Sequence, residues 1–332
     1  MNVKELIRTI NHTLKSHNLF PENSRILVAC SGGPDSMALL YLLQDIATHR
    51  HTTYKIGVAI VDHCIRPESK EEVLWLQHQV EELGLPFYST TFDVPRLSKE
   101  YKKSEETIGR QVRYQWLNEI ARSEGYDYIS VAHHKDDQAE SILAHIIRGS
   151  GLNGLTGMSV VQSEYAIPVV RPLLDVTKEN LLAYIGTKHI SYCVDSTNED
   201  VRYQRNRIRH RIIPELEAVN PAVVDAIVRL GSSVNEDVMV ISDLTARTFD
   251  KLVSIGKDEV RISRRALRQE PLAIQRRLWQ RLVSTIDPEL MLTSAHQEQL
   301  LDIVNTGEKK TFTIKSIKVI AQCDTIKVYC KH

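Results

Sequence analysis

The chain has 332 residues, enough to bury a sizeable core and, at roughly 150 residues per domain, to form two domains. Its 42 lysines and arginines balance its 42 aspartates and glutamates, so the overall charge points to no polyanionic partner and any nucleic-acid surface has to be local. The five cysteines, Cys30, Cys64, Cys193, Cys323 and Cys330, include no C-x-x-C pair, which disfavours a zinc or dithiol site and fits reduced thiols. The first segment, MNVKELIRTINHTLKSH, is polar throughout where a secretory leader needs an apolar stretch. No apolar run approaches the roughly 18 residues of a membrane span, so a soluble, cytoplasmic protein without a membrane partner is expected.

Four short runs, RILVAC (25–30), KIGVAIVDH (55–63), FYSTTFDV (87–94) and DYISVAHH (127–134), are rich in β-branched and apolar residues. They alternate with helical-period segments such as SMALLYLLQDIA and EEVLWLQHQVEELG. This rhythm predicts an α/β fold with a doubly wound parallel sheet, whose ligands sit beyond the carboxyl ends of the strands. SGGPDS, DHCIRPES and HHKDDQAE each follow a strand directly. From about residue 150 the rhythm stops at GSGLNGLTG, and IPVVRPLL, a helix-like segment and the arginine-rich DSTNEDVRYQRNRIRHRIIPEL follow. Residues 216–332 read as a second, mainly helical domain, expected to bind tRNA on the resemblance given below, that ends in short strands, KTFTIKSIKVIAQ and DTIKVYC. The domain boundary is placed near residue 215, and no internal repeat is evident.

In SGGPDS the paired glycines Gly32 and Gly33 permit positive φ and close backbone approach, so successive N–H groups can face an anion at the start of the next helix. Pro34 suits a first helical position, and Ser31 and Ser36 add hydroxyl donors. The lysine of the Walker loop is missing, and Asp35 stands in the loop instead. A carboxylate beside a polyphosphate needs a bridging divalent cation, so Asp35 implies Mg2+ if ATP binds here; a carboxylate in a first helical turn also complements the helix dipole without any ligand.

This loop resembles that of the PP-loop ATP pyrophosphatases, a Rossmann-like superfamily that splits ATP between the α- and β-phosphates. VDHCIRPES, with Ile65 in place of the usual leucine, resembles one element of the tRNA(Ile)-lysidine synthetase family; ETIGRQVRY, with Glu106, Arg110, Arg113 and Tyr114, resembles another. So do AHHKDDQAESILAHIIRGSGLNGLTGM (132–158), RPLL and DSTNEDVRYQRNRIRH. The likeness runs in order over roughly residues 25–221 and is looser in the C-terminal third. Longer members carry a further C-terminal domain for which 332 residues leave no room.

The resemblance implies ATP-dependent ligation of L-lysine to the wobble cytidine of a tRNA(Ile) with a CAU anticodon, through an adenylated cytidine. ATP contact falls to Ser31, Gly32, Gly33, Pro34, Asp35 and Ser36, with Asp62 and His63 near nucleotide edges. Asp137 and Glu140, three apart on a predicted helix, share a face and are expected to hold lysine and help deprotonate its ammonium. Arg110 and Arg113 are expected to stabilise phosphate charge. His133 is a candidate acid–base group, a satisfied core position being the alternative reading. Tyr203, Arg205, Asn206, Arg207 and Arg209 are the expected anticodon-loop contacts, whereas the basic stretch 264–281 reads as a solvated face. The rival readings are a tRNA thiolase on the same loop and a non-catalytic tRNA-binding protein. The oligomeric state carries no marker, and a homodimer is compatible with the sequence.

Overall fold

The computed structural model of the chain describes residues 2–50, 52–66, 68–194, 204–257, 259–288, 290–306 and 309–330. They form two compact units, Met1–Ser232 and Ser233–His332.

The first unit begins with α1 (Val3–Ser16), an amphipathic helix that buries Leu6, Ile7, Ile10 and Leu14. Asn2 caps it: its side-chain oxygen accepts from the Glu5 N–H, and the Glu5 carboxylate accepts from the Asn2 N–H. The polar first segment thus hides an apolar stripe at helical spacing. Then come β1 (Arg25–Ala29), α2 (Pro34–His49), β2 (Lys55–Asp62), α3 (Ser69–Glu82), β3 (Phe87–Thr91), α4 (Val94–Tyr101), α5 (Glu105–Ser123), β4 (Tyr128–Ser130) and α6 (Lys135–Arg148). The remainder is shorter: α7 (Leu152–Leu155), β5 (Val161–Gln162), β6 (Val169–Val170), α8 (Lys178–Lys188) and α9 (Gln204–Arg207). A π-helical stretch, Ile208–Ile212, joins α9 to α10 (Ile213–Val219), and α11 (Val223–Leu252) carries the chain across residue 232.

The sheet order is β3-β2-β1-β4-β6-β5, parallel except for the β5–β6 pair. All four expected strands are present, and the sheet is doubly wound as the alternation predicted. β1 is buried on both faces, with Ile26, Leu27 and Val28 fully inaccessible, which is why its sequence is a continuous apolar run. The chain moves outward from β1 through β2 to β3 and then returns to β4 on the other side of β1. That reversal makes the β1/β4 crevice the topological switch point, where open α/β sheets bind ligands.

The second unit contains β7 (Val253–Ile255), β8 (Val260–Ser263), α12 (Arg264–Gln269), α13 (Leu272–Ile286), α14 (Ser294–Asn305), β9 (Lys310–Ile314), β10 (Ile317–Gln322) and β11 (Thr325–Cys330). Its strands form an antiparallel sheet, β7-β8-β11-β10-β9, over a core that includes Trp279, Leu282, Val304, Ile317 and Ile326. Two strands beyond those read from sequence, β7 and β8, complete it; runs of three and four residues are too short for periodicity to register. The run KTFTIKSIKVIAQ folds back at Lys315, whose φ is +49°, and so supplies both β9 and β10. The basic stretch 264–281 is not uniformly solvated. Arg264 is buried and donates to the Thr306 and Cys323 carbonyls, and Arg268 donates to those of Val304 and Thr306. These guanidiniums satisfy carbonyls at the end of α14 that the helix leaves unpaired.

Candidate active site

Three strand ends build the site. After β1, Gly32 takes the left-handed conformation (φ +79°), Gly33 caps α2 and Pro34 opens it. Ser36 knits the loop together: its hydroxyl donates to the Gly33 carbonyl (2.9 Å) and accepts from the Ser31 N–H (3.2 Å). An ideal Cβ on Gly32 would lie 3.5 Å from the Trp75 ring and 3.7 Å from Cys193 Sγ, so conformation rather than space demands glycine there. Asp35 Oδ2 pairs with Lys178 Nζ at 2.7 Å and lies 3.8 Å from His134 Nε2. Its other oxygen, Oδ1, is buried with no hydrogen-bond partner among the described residues.

After β4, the first turn of α6 is acidic and inward-facing. Asp137 and Glu140 are 7% and 1% exposed. Asp137 Oδ2 accepts from the His134 N–H (3.0 Å). Two arginines close over the pair. Arg205 Nε and Arg209 Nε donate to Glu140 at 2.9 and 2.6 Å, and their Nη2 groups reach Asp137 Oδ1 at 2.7 and 3.0 Å. Burial alone would raise the pKa of Asp137, but His134, Arg205, His133 and the His134 N–H together hold it down to about 2. The π-helical stretch carries Arg209, and such distortions in helices accompany functional sites.

His134 links the two strand ends. Its Nε2 lies 3.4 Å from Asp137 Oδ2, and its Nδ1 lies 3.3 Å from Asp136 Oδ2, off the axis of a hydrogen bond. Burial opposes its charge, yet Asp136, Asp137 and Asp35 outweigh that and raise its pKa. His133 behaves oppositely: burial pushes it down to about 3, Asp137 opposing and nearby guanidiniums assisting. His63 falls to about 4 by burial and by Arg113.

A cleft of about 430 Å³ lies over these strand ends, lined by Ser31, Gly33, Pro34, Asp35 and Ser36 from the loop, Asp62 and His63 after β2, and His133 after β4. Four cations line it, Arg66, Arg113, Lys178 and Arg209. Arg66 is bound by Glu72 (3.0 Å) and Arg209 by the α6 carboxylates, whereas Arg113 faces the cleft with no carboxylate partner among the described residues. Burial lowers the Arg113 pKa, and Arg110 and Arg205 press in the same direction. An arginine kept there without a counter-charge favours an incoming anion.

Residues 3–216 match the family described as PP-loop domain. A tRNA(Ile)-lysidine synthase from Caldanaerobacter subterraneus is 30% identical over 327 residues, 98% of this chain and 68% of that protein. The chain belongs to the PP-loop family, in its tRNA(Ile)-lysidine synthase branch. A synthase of the same name from Porphyromonas gingivalis is 36% identical over 226 residues, 68% of this chain and 48% of that protein. The chain thus spans about half the length of that relative. Among solved structures, a U34-tRNA thiolase from Methanococcus maripaludis with its 4Fe–4S cluster aligns at TM-score 0.59 and 20% identity, covering 70% of this chain and 78% of the thiolase; the likeness is one of fold.

Of the residues singled out from sequence, this PP-loop protein brings Ser31, Gly33, Pro34, Asp35, Ser36, Asp62, His63, Arg113, His133 and Arg209 to one cleft. Asp62 is turned partly to its own chain, accepting from the Cys64 N–H at 2.8 Å. Arg110 is exposed and lies over the Tyr114 ring (4.8 Å), outside the lining. Arg205 and Arg209, expected at the anticodon loop, turn inward to the carboxylates expected to hold lysine, while Arg207 is exposed and Asn206 half-buried. Tyr203 lies outside the described residues. His134, which ends the predicted strand together with His133 and shares its two readings, is the one that bridges Asp35 and Asp137. One residue of the site went unread in the sequence. Lys178 lies 143 residues from Asp35, and only the short strand that runs into RPLL beside β4 could have pointed to it.

Proposed function

We propose that the chain catalyses the ATP-dependent ligation of L-lysine to the wobble cytidine of a tRNA(Ile) with a CAU anticodon, releasing AMP and pyrophosphate. One observation carries the reading: the phosphate loop lines a cleft at the switch point, and Arg209, in the same lining, is bound to the buried carboxylates Asp137 and Glu140 behind it, so that phosphate-binding and amine-binding groups of the kind such a ligation needs lie side by side. The loop backbone, Ser31, Ser36 and Arg113 hold the polyphosphate, with guanidinium charge placed where the departing pyrophosphate gathers its own. Asp35 fits Mg2+: a hard-oxygen ligand with one buried, unpartnered atom suits an ion that takes one or two carboxylates and completes its shell with phosphates and water. When bound, the ion neutralises phosphate charge; Asp35 would hold it.

Asp137 and Glu140 bind the lysine ammonium in place of guanidinium nitrogens of Arg205 and Arg209. An Asp137 held at about 2 is a poor general base for an amine of pKa near 10.4. Its task is therefore to seat and orient the amine; His133, pushed down to about 3 by burial, is no better a base, so the proton leaves to solvent. Sulfur transfer finds no support in the cysteines. Burial raises the thiols of Cys30, Cys64 and Cys193, away from the thiolate that sulfur delivery needs.

The test is incorporation of labelled lysine into a tRNA(Ile) transcript with a CAU anticodon. Incorporation should require ATP, magnesium and the wobble cytidine. Pyrophosphate release on that tRNA without lysine incorporation would overturn the ligase reading.

A further inference from the structure

The phosphate loop contains no lysine of its own, yet a lysine reaches it from far along the chain. Lys178 Nζ sits 2.7 Å from Asp35 Oδ2 and lines the cleft, its side chain 33% exposed. Asp35 is its only ionic partner among the described residues.

This placement is not what local energetics would choose. Lys178 is the first residue of α8, where the helix dipole disfavours a cation. It is nevertheless fixed there. Its N–H donates to Asp136 Oδ2 (2.8 Å), the Lys135 N–H donates to the Val176 carbonyl (2.8 Å), and Thr177 Oγ1 caps the helix at the Asn180 N–H (3.3 Å). Residues 176–178 are thereby stapled to the first turn of α6, and the amine is held over the loop from the other side of the switch point.

We infer that Lys178 is a second polyphosphate-binding cation of this site, beside Arg113, contacting the β- and γ-phosphate oxygens of a bound nucleoside triphosphate. The inference rests on the ATP half of the function proposed above. In the free protein the ammonium balances Asp35. With a divalent cation held at Asp35, the ion would supply that balance instead, and the Lys178 ammonium would be free to meet the phosphates. Lysine acts in such sites as a point charge at the end of a flexible stem. Of the other cations lining the cleft, Arg66 and Arg209 are committed to carboxylates away from the loop, and Arg113 projects from α5. Lys178 alone among the four is bound to the loop itself.

The experiment is equilibrium binding of ATP and, separately, of AMP in magnesium without tRNA, for the wild type, Lys178→Met and Lys178→Arg. Loss of one charge-assisted contact predicts ATP weakened by about tenfold or more in Lys178→Met. AMP, which has no β- or γ-phosphate, should be unaffected, and Lys178→Arg should recover most of the ATP affinity. If Lys178→Met unfolds, Lys178→Gln is read in the same way. Unchanged ATP binding would overturn the inference, as would equal weakening of ATP and AMP, which would mean that Lys178 only shapes the loop. The test is independent of the ligase reading: an ATP-selective loss in a protein that incorporates no lysine sustains Lys178 and sinks the ligation, and lysine incorporation with unaltered ATP binding does the reverse.

Discussion

The cleft and the carboxylate pair buried behind Arg209 differ in how far they are satisfied. On the phosphate side, among the described residues, Arg113 has no carboxylate partner, and Asp35 Oδ1, His63 Nδ1 and His133 Nδ1 are buried without hydrogen bonds. On the acidic side, Asp137 and Glu140 are saturated by two guanidiniums in five hydrogen bonds. Unpaired buried polar groups cost stability and persist where a ligand completes them. The saturated pair is complete as it stands and has to be opened. On the proposed function, the phosphate side would receive its ligand without displacing a partner, whereas the amine side would have to exchange one.

The sharpest way to break that comparison is Glu140→Gln. It leaves two arginines facing a neutral amide and one carboxylate, and breaking a buried ion pair typically costs about 3 kcal/mol, which a denaturant titration would read. Lysine incorporation should fall by about a thousandfold, while pyrophosphate release on tRNA survives within about tenfold. Equal loss of both steps would show that the two sides do not act separately. Arg113→Met tests the other side. With one guanidinium removed, ATP affinity should drop by about tenfold to a hundredfold and the KM for lysine should hold.

A third test uses pH. His133 and His63 have folded pKa values of about 3 and 4, below the ordinary value of about 6.5. Between those limits the unfolded chain binds protons that the folded chain does not, so their stabilising contribution is full above about 6.5 and is lost as pH falls. By pH 5 each should cost about 1–2 kcal/mol, and His133→Asn should flatten the fall in Tm between pH 7 and 5. Asp137 acts in the same direction lower down: its contribution is full above about 3.9 and is lost as pH falls through about 2. His134, its pKa raised, acts in the opposite direction, so the readout is the difference from wild type: a His133→Asn variant whose Tm falls as steeply as wild type between pH 7 and 5 would contradict the burial of a neutral His133.

The phosphate side was legible because local rules write it. Gly32, Gly33, Pro34 and Asp35 occupy consecutive positions between a strand and a helix, and each residue type answers a backbone or charge requirement at its own place. Asp137 and Glu140 were legible for the same reason, as a spacing of three within one helix. The partners on the acidic side were not. Arg205 and Arg209 lie 65 and 69 residues beyond Glu140, and an arginine-rich segment reads equally as a nucleic-acid contact or as the counter-charge of a distant carboxylate. Exposure decides between these, and exposure is a tertiary property. Lys178 was hidden by the same distance, and β7 and β8 by being too short to carry a period.

The smallest effect separates the arginines of that one segment. Arg207 is exposed, between two inward-turned neighbours, Arg205 and Arg209. Arg207→Ala should leave stability within about 0.5 kcal/mol and weaken tRNA binding by only about threefold. The loss should shrink as salt rises and the slope of log affinity against log salt should fall by about one. Arg205→Ala removes bonds to both Asp137 and Glu140 and should lower stability at any salt concentration. If the two variants shift the salt slope alike, Arg205 leaves the carboxylates for the tRNA when it binds, and the acidic side opens by handing its guanidinium to the substrate. If only Arg207 moves the slope, the carboxylates admit lysine while keeping Arg205, and Arg209 alone gives way.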